Sequence, residues 1–512
     1  MHYLTKPYSV NQRNNHMRTI TLLLLLLFSV SFSALSPLNR YELSSCYIDS
    51  IHSTIEHAPP FLSLPNAFKR NDSLPLNFQN HDQTLSFDIN FITAYENQQK
   101  STGFGVIDAA GQFEAPWLFA RVSVNAYGAQ GYPQTRFDEP KEDFQEIAYE
   151  RFFSGRRSPI RGGPEIDFTL PEAYLRFIYR NLHLGFGREK LRWGPGHKGT
   201  LLHSGYAHSP FYFYHFKLNM ADRIHMSAYL CGYDDENAFR NSDFTEGKVP
   251  SILQQRPLPP RYGAAHRLDI KFNKHFQLGI YEKVNFFGSQ DLIRYANPFQ
   301  IYYLGLHSGN NYPNKLGGID FNIIFHPLRI YGEFLNDDIT SFDTVGNPSK
   351  YGLQLGACWY FNNDILREIG FEYTHLTYYI YGHYTILNRH TFWNQSMGWP
   401  WGNDQDLFHA RALFRIRPDL RAKIEANYWL MGKGKISDDW YIDGMPNFDD
   451  KPYFPENADH ILSFILSAQY TPLDWLDLNM YWRPWWKNGR FSQGFHLYLK
   501  TGLPFGRSYR LE

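Results

Sequence analysis

The sequence predicts an all-β chain: a transmembrane antiparallel β-barrel of about 18 strands with a short helical N-terminal segment. Three observations carry this. The first is a two-residue beat of apolar and polar side chains that recurs nearly end to end. Leu85, Phe87, Ile89 and Phe91 alternate with Ser86, Asp88 and Asn90, and Leu476, Leu478, Met480 and Trp482 alternate with Asp477, Asn479, Tyr481 and Arg483. A period of two marks a strand with one apolar and one polar face. The second is that the polar face carries full charges, as where Arg421, Lys423 and Glu425 sit between Leu420, Ala422, Ile424 and Ala426. A barrel with a wet lumen has a use for them; a soluble sandwich rarely does. The third is the aromatic content of 18%, with 36 Tyr, 42 Phe and 12 Trp. Such rings suit the girdles where lipid meets water.

The N-terminus fits export. Arg18 precedes the apolar run Ile20 to Phe32, and small residues Ser31, Ser33 and Ala34 follow. A basic flank, a run too short to span easily as a helix, and a small-residue exit read as a secretory signal peptide over residues 1–34, with Met17 as a second candidate start. Leu43-Ser44-Ser45-Cys46 looks like a lipidation box, but Asn39, Arg40 and Glu42 separate it from the apolar run, which argues against acylation. Leu43, Tyr47, Ile51 and Ile55 fall at helical spacing, so residues 35–80 form a partly helical periplasmic segment. The barrel then occupies 81–505 and a short tail 506–512.

Charge and cysteine content exclude other classes. Lys plus Arg equals Asp plus Glu at 50 each, so no basic field exists to hold nucleic acid. Cys46, Cys231 and Cys358 are odd in number and scattered, with neither a disulfide framework nor metal-site spacing, and no cofactor or metal is expected.

Strand-like runs fall near 84–93, 117–127, 172–180, 182–188, 211–219, 223–231, 266–272, 276–284, 318–325, 328–335, 351–360, 366–377, 408–416, 420–430, 461–470, 475–483 and 493–500. Breaks such as Arg180-Asn181, His326-Pro327 and Arg417-Pro418-Asp419 are short turns, and they alternate with long connections at 189–210, 232–265, 285–317, 336–350, 378–407 and 431–460. Outer-membrane barrels keep short turns in the periplasm and long loops outside, which orients the chain. An even number of strands is required, and the direction of the early strands puts the missing one between 128 and 171. Residues 298–306 do not fit the up-and-down order and read as an excursion in or over the mouth. A propeller would repeat at about 40 residues, and no such repeat is present.

Conventional catalytic signals are absent: there is no Gly-x-Ser-x-Gly, no phosphate-binding Gly-rich loop with Lys and no His-Glu-x-x-His, so no enzyme is expected. Asp337-Asp338 is the one acidic pair worth weighing as a dyad, and adjacent strand positions point to opposite faces.

Four segments at strand ends concentrate Gly, Pro, Trp and charge. They are Gly187-Arg188-Glu189-Lys190-Leu191-Arg192-Trp193-Gly194-Pro195-Gly196, followed by His197; Arg294-Tyr295-Ala296-Asn297-Pro298 with Gly309-Asn310; Tyr331-Gly332-Glu333-Phe334-Leu335-Asn336-Asp337-Asp338; and Glu372-Tyr373-Thr374 with Met397-Gly398-Trp399-Pro400-Trp401-Gly402-Asn403-Asp404-Gln405-Asp406. Through these motifs, over about residues 170–410, the chain resembles the Wzi family of capsule-assembly proteins. The resemblance implies an eighteen-stranded outer-membrane barrel with a helical N-terminal part at the periplasmic mouth, acting as a lectin for capsular polysaccharide. His375 stands where the resemblance leads one to expect a basic residue such as Arg, and Ser508-Tyr509-Arg510-Leu511-Glu512 lacks the terminal aromatic usual for barrel insertion.

By the loop alternation, Trp193-Gly194-Pro195-Gly196, Asp337-Asp338, His375 and Asp404-Gln405-Asp406 all arrive at the extracellular end and face outward. Arg188 and Arg192 are then placed to pair with Glu333, Asp337 and Asp338 and so brace loops folded into the lumen, since buried charges must be paired. Trp193, Trp399 and Trp401, with His197, Asp404 and Asp406, are candidates for sugar contact by stacking and hydrogen bonding. The expected partners are surface or capsular polysaccharide and outer-membrane lipid, with no nucleic acid, for a monomer in the outer membrane of a Gram-negative bacterium. The alternative function is a porin-like diffusion channel for sugars or small solutes. It loses ground if 189–210 and 285–317 fill the bore.

Overall fold

The computed structural model describes residues 76–502 except 131–164, 206–209, 234–257, 304–312, 339–348, 447–457 and a few residues in turns. The expected signal peptide, lipidation box, N-terminal helix and C-terminal tail lie outside the described residues.

The strands run in chain order as β1 Leu76–Asn80, β2 Gln83–Asn97, β3 Ser101–Ala115, β4 Leu118–Gln130, β5 Glu165–Tyr179, β6 Leu182–Arg188, β7 Phe211–Ala221, β8 Ile224–Tyr233, β9 Arg261–Lys271, β10 Phe276–Phe287, β11 Asn314–Phe325, β12 Leu328–Asp338, β13 Lys350–Tyr360 and β14 Leu366–Leu376. A two-residue hairpin follows, β15 Thr391–Phe392 with β16 Gln395–Ser396. Then come β17 Gln405–Arg417, β18 Leu420–Met431, a second small hairpin β19 Tyr441–Ile442 with β20 Met445–Pro446, and finally β21 Asp459–Leu473, β22 Leu476–Lys487 and β23 Arg490–Gly502.

Leaving out β1 and the two hairpins, each strand pairs antiparallel with the next. β23 pairs with β2 from Asn90↔Gly502 to Asn97↔Phe495, so the ladder returns to its first strand. Among the described residues that ring contains eighteen strands. β1 pairs with residues 83–87 of β2 and so occupies the lower part of the edge whose upper part β23 takes. Strand structure thus begins before residue 81, inside the segment expected to precede the barrel.

The count agrees with expectation, but the strand missing from the sequence reading is β3, not a segment between 128 and 171. Gly103, Gly105 and Gly111 with Ala109 and Ala110 blunt the contrast between its faces. Only three residues separate it from β2, too few for the long loop that the alternation of turn and loop calls for there.

Alternation sorts the wall. Leu355, Trp359, Phe371 and Ile319 are exposed on the outer side, Phe371 by 61%. The inner side carries ion pairs: Arg411 with Glu368, Arg267 with Asp269 at 2.7 Å and with Asp320, and Arg121 with Glu172 at 2.9 Å. Among the described residues no helix is long and apolar enough to cross a membrane. In a closed ladder the strands satisfy one another's backbone groups.

The largest buried apolar cluster lies inside the ring. There Leu191, Trp193, Leu201, Leu202, Tyr381, Phe392, Met397 and Trp399 from the 189–205 and 377–404 segments pack on inward Tyr229, Cys231, Tyr281, Leu316 and Trp429. The 288–303 segment behaves differently. It lies neither in the mouth nor over it but against the outside of the wall, because its partners Leu230, Ala264, Val284 and Phe286 are register partners on the face opposite Tyr229, Cys231 and Tyr281.

Candidate functional site: a plug gripped by the barrel wall

The inner wall holds the 189–205 and 377–404 segments mainly by their backbones. Glu333 of β12 accepts the Leu201 N–H at 3.0 Å with one oxygen and the Tyr281 hydroxyl at 2.7 Å with the other. Glu372 of β14 accepts the N–H groups of His197 at 2.6 Å and Lys198 at 3.0 Å, and the Tyr331 hydroxyl at 2.7 Å. Gln354 of β13 donates to the Gly199 carbonyl at 3.2 Å, and Arg329, near the start of β12, donates to the Pro195 carbonyl at 3.1 Å. For the second segment, Arg261 of β9 donates to three carbonyls: Leu387 at 2.6 Å, Arg389 at 3.0 Å and Thr391 at 3.1 Å. Asp337 accepts the Tyr381 N–H at 2.8 Å, while Lys350 donates to the Gly382 carbonyl at 3.4 Å. An irregular chain in a closed bore leaves backbone groups that must be satisfied, and these inward polar side chains supply the partners.

The two segments also hold each other. Trp193 and His203 form an antiparallel bridge, and Ser204 N–H donates to Met397 O at 3.1 Å. The Tyr381 hydroxyl donates to Leu201 O at 2.7 Å and accepts Trp399 N–H at 3.1 Å. His203 Nε2 lies 2.6 Å from the Tyr229 hydroxyl, and His390 Nε2 lies 2.9 Å from Leu202 O. Burial, with the nearby Lys283 ammonium, holds His203 and His390 well below the usual histidine value; burial with Lys350 does the same for His383. All three are therefore neutral at pH 7. The glycines of the Trp-Gly-Pro-Gly motif are demanded by this fit. Gly194 has φ 123°, and a Cβ there would strike the Glu333 carboxylate; at Gly196 one would strike the Gln354 amide and the Gly199 carbonyl.

Several expectations are corrected. The Trp193 to Gly196 motif does not face outward at the mouth. It descends into the bore, as the Arg329 contact at the foot of β12 shows. Glu333, Asp337 and Asp338 brace the plug without the expected arginines. Glu333 serves Leu201 and Tyr281, while Asp337 and Asp338 both meet Lys350, at 3.4 and 2.9 Å. A register shift between Asn336 and Asp338 lets these neighbours reach one ammonium although a regular strand would part them. Arg192 donates within its own loop, to the carbonyls of Gly196 and of His197, the latter at 3.2 Å. Arg188 closes β6, paired in register with Ala173 and Phe211.

The aromatic candidates separate. Trp193 and Trp399 are 1% and 0% exposed, positions of packing. Trp401 is half-buried, its ring 5.1 Å from that of Trp399 and 6.0 Å from that of Trp429 near the extracellular end of β18. The His197 ring stacks on His409 at 5.9 Å. Asp404 accepts Gly434 N–H at 2.7 Å, and burial raises its carboxyl above the usual range. His375 and Asp406 lie 3.0 Å apart and, by register, on the outer side of the wall, under Tyr351 and Tyr373. Sequence reasoning missed Arg261, Gln354, Lys350 and Tyr381, and quoted Glu372 without weighing it. The available signal was a charged or amide side chain on the inward phase of a strand, opposite a long loop.

Comparison with known proteins fits this geometry. A family model described as capsule assembly protein Wzi matches residues 86–463. No curated protein matches the chain. Among solved structures, Wzi of Escherichia coli, described as an outer membrane protein involved in group 1 capsule assembly and a carbohydrate-binding β-barrel, is 14% identical with a TM-score of 0.52, covering 83% of this chain and 85% of that one. OccAB1 of Acinetobacter baumannii is 10% identical with a TM-score of 0.46, over 83% and 97% of the two chains. OprD of Pseudomonas aeruginosa is 9% identical with a TM-score of 0.43, over 84% and 95%. The match over most of its length, on a ring of strands with an apolar exterior and a charged bore, makes this chain a member of the Wzi family of capsule-assembly proteins, a β-barrel of the Gram-negative outer membrane.

Proposed function

We propose that this barrel is a lectin: it binds surface or capsular polysaccharide at its extracellular face and helps attach or assemble it there, without chemical turnover. The observation that carries the reading is the plug. Wall carboxylates, amides and arginines that could line a solute path are spent on the backbone of 195–201 and 381–391. A charged bore so occupied is a scaffold more than a conduit. The family match supports the capsule role.

The sugar-facing surface of this reading is the rim built on the plug. Trp401 is half-buried, and the half-buried Tyr378, whose carbonyl accepts from the Asn403 amide, donates its hydroxyl to Asp438 at 2.8 Å. An indole face stacks on the apolar face of a pyranose while carboxylate and phenol bond its hydroxyls. Arg188, Arg192, Trp193, Glu333, Asp337, Asp338 and Trp399 act one step back, holding the loops that carry the rim. In this reading the barrel works as a monomer in contact with lipid.

The test pairs planar-bilayer conductance with glycan binding by purified protein. Low conductance with saturable binding of capsular polysaccharide, lost in Trp401→Ala at unchanged conductance, is the expected result. A stable open channel with no glycan binding would favour the diffusion-channel alternative.

A further inference from the structure

Residues 288–303 lie on the lipid side of the barrel. Leu230, Ala264 and Val284 are consecutive register partners across β8, β9 and β10, as are Ala228, His266 and Glu282. This face alternates with the one that carries Tyr229, Cys231, Tyr281 and Lys283 into the bore. The segment leaves the top of β10, turns through Ser289–Asp291 and Leu292–Tyr295, and comes back down the wall. Tyr295 packs on Phe286 with ring centroids 4.9 Å apart, Tyr302 covers His266 at 4.7 Å, and Phe299 meets Phe216 of β7 at 6.3 Å.

Depth decides what surrounds it. Glu282 lies five positions below the end of β10, and Phe216 five below the start of β7. With a rise of about 3.3 Å per residue and a tilt of about 40°, that is roughly 13 Å below the strand ends, in a wall whose apolar band is about 25 Å tall. Ile280 and Ile319, next below on this face, are exposed as lipid-facing residues should be. Ile293, Phe299 and Ile301 on the segment's own outer side are 86%, 66% and 51% exposed, an apolar surface continuous with that belt.

From this placement we propose that residues 289–303 form a strap embedded in the outer leaflet, with Ile293, Phe299 and Ile301 in contact with lipid acyl chains. The wall beneath carries what lipid does not tolerate: the polar side chains of His266 and Glu282, 3.3 Å apart, with Asn336 and Lys315 close by. The strap covers the pair, Tyr302 N–H donating to Glu282 at 2.7 Å, and the Tyr303 hydroxyl reaches the Lys315 carbonyl at 3.3 Å. Irregular backbone at membrane depth needs its polar groups satisfied against protein. Phe299 N–H donates to the Asn297 side chain at 3.1 Å, Gln300 N–H to Asn297 O at 3.3 Å, and Ala296 O accepts the Tyr214 hydroxyl at 2.7 Å. The strap thus exchanges a polar stretch of wall for an apolar exterior.

Nitroxide labels on Ile293→Cys and Ile301→Cys, in the full barrel reconstituted into phosphatidylcholine vesicles, test this. Ile319→Cys on the lipid-facing wall and Arg490→Cys at the β22–β23 turn serve as references, all in a Cys46→Ser parent that gives the background, since Cys231 and Cys358 are buried. The ratio of collisions with oxygen to collisions with an aqueous nickel chelate should match the Ile319 label and exceed the Arg490 label by about fivefold. Ratios equal to that at Arg490 would place the segment in water and overturn the proposal. Spin–spin broadening that vanishes on dilution with unlabelled protein would show a second barrel instead of lipid, and would overturn it as well.

Discussion

Two loops grip the same stretch of wall from opposite sides and by different means. On β10, Tyr281 and Lys283 point into the bore, where Tyr281 meets Glu333 and Lys283 meets Met397 of the plug at 3.5 Å. Glu282, Val284 and Phe286 point the other way and carry the strap. The plug is held by charges and amides bonded to its backbone; the strap is held mostly by tilted and edge-on ring contacts. The difference follows from the solvent each face is built for. A strand of period two offers polar groups to the wet side and aromatic groups to the lipid side, and a loop laid on either side is bound with what that side supplies.

The comparison breaks most readily at Glu333. Glu333→Ala leaves the Leu201 N–H and the Tyr281 hydroxyl buried without their acceptor, at a cost on the order of 1–3 kcal/mol for each stranded donor. The sheet around it is held by its ladder, so the expected result is a folded, heat-modifiable barrel whose single-channel conductance rises as the plug loosens. Unchanged conductance would mean that the plug is fixed by packing of Trp193, Leu201 and Trp399 alone.

Arg261→Ala should act less strongly. It removes donors from three carbonyls, and carbonyls left without a partner are better tolerated than N–H groups. Brief channel openings, in place of a lasting open state, are the expected record. They should leave the 195–201 segment in position, visible as unchanged resistance to proteolysis there.

Acid provides a graded version of the same break. His203, His390 and His383 have folded values below the unfolded 6.5, so the folded plug binds fewer protons than the released one. Their contribution is intact above pH of about 6.5 and is lost as pH falls below it, by up to about 1.4 kcal/mol per group per pH unit. Conductance should therefore increase between about pH 7 and pH 5, with a shallower dependence in His390→Gln. Closure that is independent of pH over this range would show that the histidines are not linked to plug release.

Much of this architecture was legible in the residues. Alternation located seventeen of the ring strands because their two faces differ in solvent, and charges such as Arg421, Lys423 and Glu425 betrayed the wet side. β3 escaped because Gly103, Gly105 and Gly111 present neither face strongly. The partners of Glu333 and Asp337 escaped for another reason: they are backbone N–H groups of Leu201 and Tyr381, and a backbone donor leaves no trace in a sequence. Long loops were visible as long, but whether a loop turns inward or outward depends on register and length together. Residues 298–306 were therefore expected in or over the mouth.

The strap offers the smallest effect on the bore and the sharpest contrast. Tyr302→Ala removes the ring over His266 and the packing on Tyr295, at roughly 3–5 kcal/mol if the site does not collapse, yet it touches nothing in the bore. Conductance and glycan binding should stay at parental levels. What should change is the outer face: the His266–Glu282 pair, now uncovered toward lipid, should lower the temperature at which the barrel loses its folded mobility on gels. A Tyr302→Phe control keeps the ring and should behave as the parent, because the phenol oxygen has no hydrogen-bond partner among the described residues. If Tyr302→Ala opened the channel as Glu333→Ala is expected to, the two sides of the wall would be coupled, and the division of labour between wet and lipid faces would be wrong.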